Sequence, residues 1–248
     1  MHISRGVTAV LAATLLGFGA YAAGPGQAVV GGTDAAAADF PWLAAIGTPA
    51  YATRTGGQFC AGALVAPDRV ITAGHCGMLA RVLPGTAVTF GRDDAGDSGG
   101  ITVGIKDVRV HPDFRVSLFD GDLAYHHDIA VITLAAPVAL PTVRVAEPHG
   151  TAAEVLGWGV TAEDDMSNSR LRAAVVPLPG DAACAAYGAE FDPREALCAG
   201  SAEADSAQFD SGGPLLVDGD LAGIVSWGKG AAQPGYPGIY ARIPALDF

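Results

Sequence analysis

The sequence predicts an all-β domain, either a sandwich or a barrel. Two features carry that prediction: short runs of β-forming residues recur along the chain, and they are punctuated by turn signals among 34 glycines and 16 prolines. A third, composition, sets the class: half of the 248 residues are hydrophobic and 16% are charged, which suits a packed, turn-rich globular chain rather than a disordered one. The length is enough for a substantial core but too short for two large domains.

The elements follow in order. Phe59 to Val65 and Arg69 to Thr72 flank a Pro67-Asp68 turn and read as a hairpin. Further strands are expected at Ala87 to Phe90, Ile101 to Val110, Ile129 to Leu134 and Glu154 to Trp158. The second half adds Arg172 to Val176, Leu215 to Val217, Leu221 to Trp227 and Gly238 to Ile243. Asp218-Gly219 between apolar runs is a strong hairpin signal. Asp181 to Tyr187, rich in alanine, reads as a short helix with Asp181 near its N-cap. No repeat or low-complexity linker divides the chain. Residues 92–100 form the most polar stretch; Asp93, Asp94 and Asp97 do not follow the order of an EF-hand, and a solvated loop is expected.

The beginning of the chain reads as an export signal. Arg5 precedes an apolar stretch from Gly6 to about Ala23 that ends in small residues. Residues 1–28 are therefore expected to be a signal peptide, with or without a short propeptide, and residues 29–248 the mature domain, secreted and not held in a membrane. The competing membrane anchor lacks a sufficiently long apolar run and a following basic stop signal. Cys60, Cys76, Cys184 and Cys198 suit two disulfides in an exported protein. Three pairings are possible; proximity favours Cys60 with Cys76 and Cys184 with Cys198. Zinc is the weaker reading, because neither pair has C-x-x-C spacing. The net charge of −12, without a lysine or arginine cluster, argues against nucleic acid as a partner.

Three motifs carry chemistry: T-A-G-H-C at Thr72 to Cys76, H-D-I-A-V at His127 to Val131, and D-S-G-G-P at Asp210 to Pro214. A serine hydroxyl becomes a nucleophile when a base takes its proton. Histidine can do so near neutral pH, and a buried carboxylate fixes its tautomer. His75, Asp128 and Ser211 occur in the chain order His, Asp, Ser. An α/β-hydrolase runs Ser, acid, His and needs G-x-S-x-G, which Phe209 breaks.

With V-V-G-G at Val29 to Gly32, G-W-G at Gly157 to Gly159, S-W-G at Ser226 to Gly228 and P-G-I-Y at Pro237 to Tyr240, the chain resembles the trypsin-like branch of the chymotrypsin-fold serine proteases from Val29 nearly to its end. The resemblance implies two six-stranded antiparallel β-barrels with the active site in the cleft between them. It implies His75, Asp128 and Ser211 as the triad, and the backbone N–H groups of Phe209 and Ser211 as the oxyanion hole. Asp205 matches the carboxylate at the bottom of the primary pocket, with Ser226, Gly228 and Gly238 in the same substrate-binding region, so cleavage after arginine or lysine is implied. Val29 and Asp210 match the activation pair of a freed amine and a buried acid. No cofactor or metal is implied. The expected partners are protein or peptide substrates and protein protease inhibitors, and the expected state is a monomer.

The chain departs from the family at several positions. Phe209 stands where the family has glycine; a side chain there is expected to be strained and to crowd the leaving-group side, giving an impaired or selective enzyme. It also supports an alternative, a catalytically weak family member acting as a binding or scaffold protein. Ala207 and Ala231 replace a disulfide that often braces the pocket. Ala28, not a basic residue, precedes Val29, so release of Val29 by the enzyme itself is not expected. His126 and His127 read as cleft-rim residues, Tyr125 as lining a neighbouring subsite, and His111 and His149 as loop residues.

Overall fold

The computed structural model describes residues 29–161 and 166–243, so the predicted leader lies outside the described residues. In chain order the elements are β1 (Thr33–Asp34), β2 (Leu43–Gly47), β3 (Gln58–Ala66), β4 (Arg69–Thr72), α1 (Gly74–Val82), β5 (Ala87–Phe90) and β6 (Ile101–Val110). There follow β7 (Arg115–Phe119), β8 (Asp122–His126), β9 (Ala130–Leu134), β10 (Ala152–Gly157) and β11 (Arg172–Pro177). After a 3₁₀ segment at Asp181–Glu190 come β12 (Ala196–Ala199), β13 (Pro214–Val217), β14 (Asp220–Trp227) and β15 (Gly238–Arg242).

The first half closes into a six-stranded barrel in the order β2-β3-β4-β9-β6-β5, every pair antiparallel. Alternation sets its inside: along β9, Ala130, Ile132 and Leu134 are buried while Val131 and Thr133 are only half-buried. β3 is buried almost throughout because it also faces the second half, where the Ala61 N–H donates to the Ser211 carbonyl. That second half is an antiparallel sheet in the order β1-β11-β10-β13-β14-β15-β12. Six of its strands roll up as the expected second barrel, with the two-residue β1 added beside β11. Where its ends approach, the Gly200 N–H donates to the Pro177 carbonyl just beyond the last ladder.

The predicted strands are present with small shifts of their ends, and the Asp218-Gly219 hairpin has both residues at positive φ, 50° and 83°, as a tight two-residue turn requires. Both favoured disulfide pairings form, Cys60–Cys76 tying β3 to α1 and Cys184–Cys198 tying the 3₁₀ segment to β12. The polar 92–100 loop is more than a solvated surface. Asp93 accepts from the Ala37 N–H at 2.7 Å and Asp94 from the Ser169 hydroxyl at 2.9 Å, so it ties the first barrel to the segment leading into β11. Among the described residues no helix is long and apolar enough to cross a membrane.

Candidate active site

β4 runs out at Thr72 and α1 begins at Gly74, so His75 enters the cleft on the first turn of a helix. Its partner Asp128 sits in a tight reversal between β8 and β9, where His127 takes φ 47° and the Ile129 N–H donates to the His127 carbonyl at 2.8 Å. The Asp128 carboxylate is 1% exposed and collects three donors. Oδ1 accepts the His75 backbone N–H at 2.8 Å, and Oδ2 accepts His75 Nδ1 at 2.8 Å and the Ser226 hydroxyl at 2.6 Å. A proton on Nδ1 facing the carboxylate leaves Nε2 of the neutral ring as the base. Tyr125 stacks on the His75 ring, with centroids 4.5 Å apart and planes within 16°.

Ser211 precedes β13 of the second barrel and lines a cavity together with Asp205 and Ser226. Its carbonyl is held by Ala61 N–H at 2.8 Å, next to the Cys60–Cys76 bridge that carries α1. Gly212, at φ 79°, lies so close to the chain entering α1 that a β-carbon there would fall 2.2 Å from Thr72 Oγ1. Ser211 is thus seated against the residues that lead into His75. Among the described residues its hydroxyl makes no hydrogen bond, so the imidazole–carboxylate link is formed and the hydroxyl–imidazole link is not. His75 Nε2 instead lies 3.5 Å from Cys76 Sγ; hydrogen bonds between catalytic groups are often long or unformed without substrate.

Neither the Phe209 nor the Ser211 N–H has a protein acceptor among the described residues. The Gln208 carbonyl accepts the Val160 N–H at 2.9 Å, and among the described residues no peptide bond is cis. In a trans peptide the N–H points opposite the carbonyl, so the Phe209 N–H turns away from Val160. Phe209 keeps the glycine-like backbone, at φ 74°. A side chain in that region costs roughly 1–2 kcal/mol, so the expected strain is present. The expected crowding is not: the ring is 7% exposed and lies under Arg54, whose guanidinium carbon is 4.3 Å from its centroid. A desolvated cation–π contact contributes about 2 kcal/mol, comparable to the strain.

Beside Ser211 opens a cavity of about 340 Å³ lined by Asp205, Ser206, Ser226, Gly228 and Gly238, with Ala207 and Ala231 in its wall. Asp205, 2% exposed, accepts the Ser206 N–H at 2.7 Å and the Tyr240 hydroxyl at 3.4 Å. Burial outweighs these bonds and pushes its carboxyl up to about 7 from an ordinary 3.8. Gly238 must lack a β-carbon, which would stand 2.4 Å from Asp205 Oδ1.

Asp210 is the second deeply buried acid. It accepts the Gly159 and Ala207 N–H groups at 2.8 and 3.0 Å, and burial likewise raises it to about 7. Among the described residues no cation lies within ion-pair distance of it, although the charge of Arg54 favours its ionised form. Val29 is fully buried in the core of the second barrel, and the Asp205 N–H donates to the next residue's carbonyl, that of Val30, at 3.2 Å.

His126 is no rim residue: it is 1% exposed, with Nδ1 at 2.7 Å from Glu195 and Nε2 at 3.0 Å from Glu190 and 2.8 Å from Ser117 Oγ. His127, 39% exposed, does sit at the surface and pairs with Glu195 at 2.8 Å. Ser226 lines the pocket but spends its hydroxyl on Asp128. Gln58, Tyr51 and Arg54 surround Phe209, although no local motif in the sequence marks them. Cys60, His75 and Cys76 cluster closely enough to suggest a metal, yet both sulfurs are committed to a disulfide and offer no thiolate.

A two-barrel β fold with a histidine–carboxylate pair at the head of its first helix is the architecture of the chymotrypsin-like serine endopeptidases. The chain belongs to the trypsin family, whose sequence model matches residues 29–248. It is 39% identical over 226 residues to "Trypsin" of Saccharopolyspora erythraea, covering 88% of this chain and 94% of that one. It is 38% identical to "Trypsin 5G1" of Aedes aegypti, covering 76% and 73%. It is 37% identical to "Vitellin-degrading protease" of Bombyx mori, covering 88% and 82%. The protein is accordingly a serine endopeptidase, and its substrates are proteins or peptides.

Proposed function

We propose that this endopeptidase cleaves after arginine and lysine through an acyl-enzyme on Ser211. His75 Nε2 takes the Ser211 proton as the hydroxyl attacks the scissile carbonyl, and Asp128 stabilises the imidazolium. The N–H groups of Phe209 and Ser211 receive the oxyanion, and His75 then protonates the departing amine. A water repeats the sequence to free the acid. The observation that carries this reading is the three-donor seat of Asp128, which fixes the tautomer the base needs. Asp205, at the bottom of a cavity opening beside Ser211 between Gly228 and Gly238, supports a long cationic side chain as the residue bound there. The binding-protein alternative rests on Phe209 crowding the cleft, and the buried ring speaks against it. The test is an arginine-based acylating reagent: stoichiometric modification of Ser211 is expected and none in Ser211→Ala. An unmodified wild-type protein beginning at Val29 would overturn the reading.

In the same proposal the mature chain begins at Val29 after removal of residues 1–28, is secreted as a monomer and is open to protein inhibitors. Its new amine pairs with Asp210. Two buried carboxyls held near 7 make the unprocessed chain sensitive to pH. Between about 4 and 7 the folded state keeps protons that the unfolded state releases, so stability falls as pH rises through that window. An unprocessed Ser211→Ala chain is expected to melt several degrees higher at pH 5 than at pH 8, and Asp210→Asn to remove a large part of that difference. Thermal denaturation at the two pH values checks it.

A further inference from the structure

We propose that Arg54 is a positioning residue for the oxyanion hole: its guanidinium clamps the Phe209 ring and so holds the Phe209 backbone in the left-handed conformation that aims its N–H into the cleft. The proposal rests on the reading of Ser211 as nucleophile and of these N–H groups as its oxyanion donors.

A glycine would adopt the required φ of 74° without help, whereas a phenylalanine needs something to hold it. The surroundings supply three constraints. Arg54 lies over one face of the ring with its guanidinium carbon 4.3 Å from the centroid. Tyr51 meets the ring edge-on at 6.5 Å, and Gln58 Nε2 donates to the Phe209 carbonyl at 3.0 Å.

Arg54 is itself held firmly. It is 5% exposed, and its two terminal nitrogens donate to the carbonyls of Trp158 at 2.7 Å and Met166 at 2.9 Å. The loop carrying it is closed by Thr48 N–H to the Gly57 carbonyl, Tyr51 N–H to the Thr48 carbonyl and Gly57 N–H to the Arg54 carbonyl. A buried guanidinium bonded only to backbone carbonyls, with Nε unpartnered among the described residues, is an expensive way to fill space. Its placement against Phe209, with its charge also acting on the adjacent Asp210, gives it a task. The Trp158 carbonyl it grips lies two residues before Val160, whose N–H orients the Gln208–Phe209 peptide. Arg54 thus acts on both sides of the N–H in question.

The test uses the mature enzyme and three readings: kcat and KM on an arginyl amide, the Kd of a small arginine-like amidine that fills only the pocket, and the Kd of an arginyl peptide aldehyde, whose hemiacetal oxygen also needs the hole. Arg54→Met is expected to lower kcat by about 10- to 100-fold, short of the 10²–10³ of losing a donor outright. Aldehyde binding should weaken in parallel, with KM and amidine binding little changed. In a Phe209→Gly background the same substitution should cost less than about threefold, the signature of two coupled residues. If Arg54→Met does not fold, Phe209→Leu decides: it keeps the strained φ without the ring and should lose kcat and aldehyde affinity relative to Phe209→Gly, whose backbone needs no clamp. Equal losses from Arg54→Met in both backgrounds, or a Phe209→Leu enzyme with wild-type kcat and aldehyde affinity, would overturn the proposal. A wild type that Ser211-directed reagents do not modify would instead strike the reading beneath it.

Discussion

Asp128→Asn is expected to lower kcat on an arginyl ester by about 10⁴-fold while leaving amidine binding in the pocket within about twofold; the first magnitude is the one known for the Ser–His–Asp triad of this family, not a product of the distances here. The direction follows from counting donors. Three hydrogens converge on the carboxylate: the His75 backbone N–H, the His75 Nδ1–H and the Ser226 hydroxyl, at 2.8, 2.8 and 2.6 Å. An asparagine has one oxygen for them and turns an NH₂ toward the rest. The Ser226 hydroxyl can rotate, and the backbone N–H of a helix cannot. The imidazole is the group left to yield, accepting the amide hydrogen on Nδ1 and moving its own proton to Nε2. The base that should face Ser211 then carries a proton it cannot exchange for the serine's. Burial makes this severe, because no water reaches a carboxylate 1% exposed to restore the lost acceptor. Ser226→Ala removes one donor of three without changing the tautomer, so its loss should be far smaller. A drop below tenfold in Asp128→Asn would mean that the tautomer is set elsewhere.

The contrast between these two substitutions bears on what could be read from sequence. Where a candidate is written in consecutive residues, as in T-A-G-H-C and D-S-G-G-P, it is legible because the chain itself spells it out, and the expected His75–Asp128 contact is present at 2.8 Å. Strands β5 and β6 likewise have the predicted limits, Ala87 to Phe90 and Ile101 to Val110. Barrel closure was not legible from the residues alone. It depends on β2 pairing with both β3 and β5, and Leu43–Gly47 holds two alanines and a glycine, weak strand formers that become a strand by burial between neighbours. Helix α1 was missed for the opposite reason. Gly74 and Gly77 argue against a helix, yet a β-carbon at Gly77 would lie 2.6 Å from that of Ala130, so packing on β9 demands glycine and the helix tolerates it. The hairpin of β7 and β8 could have been found. Asp120-Gly121 follows the alternating run Arg115–Phe119 and makes a two-residue turn like that of Asp218-Gly219, and both pairs take positive φ. His126 and Arg54 could not. Their partners Glu190, Glu195, Trp158 and Met166 lie 64 to 112 residues further along, and no local pattern announces such a meeting.

The second large effect is expected at Asp205. Asp205→Ser should reduce kcat/KM for arginyl substrates by about 10²- to 10³-fold, within the range for removing one partner of a buried charge pair, and should leave turnover of a small apolar acyl ester within a few-fold. The buried carboxyl also predicts how binding follows pH. With no cation bound, burial holds it at about 7, so below that pH it is mostly a neutral acid. An amidine stays cationic throughout, and seating it requires the carboxylate. Below 7 the site must first release a proton, and each unit of further acidification should raise the amidine Kd by about tenfold. Above 7 the Kd should level off. The bonds from Ser206 and Tyr240 already favour the ionised form and do not overcome desolvation, so the incoming cation is the group that shifts the balance. Calorimetric titration of the amidine from pH 5 to 9, in an enzyme with Ser211→Ala to prevent autolysis, reads the curve directly. Asp205→Ser should abolish both the affinity and its slope. A slope that persisted without Asp205 would place the titrating group elsewhere, and tight binding at pH 5 equal to that at pH 8 would mean that the carboxyl is ionised despite its burial.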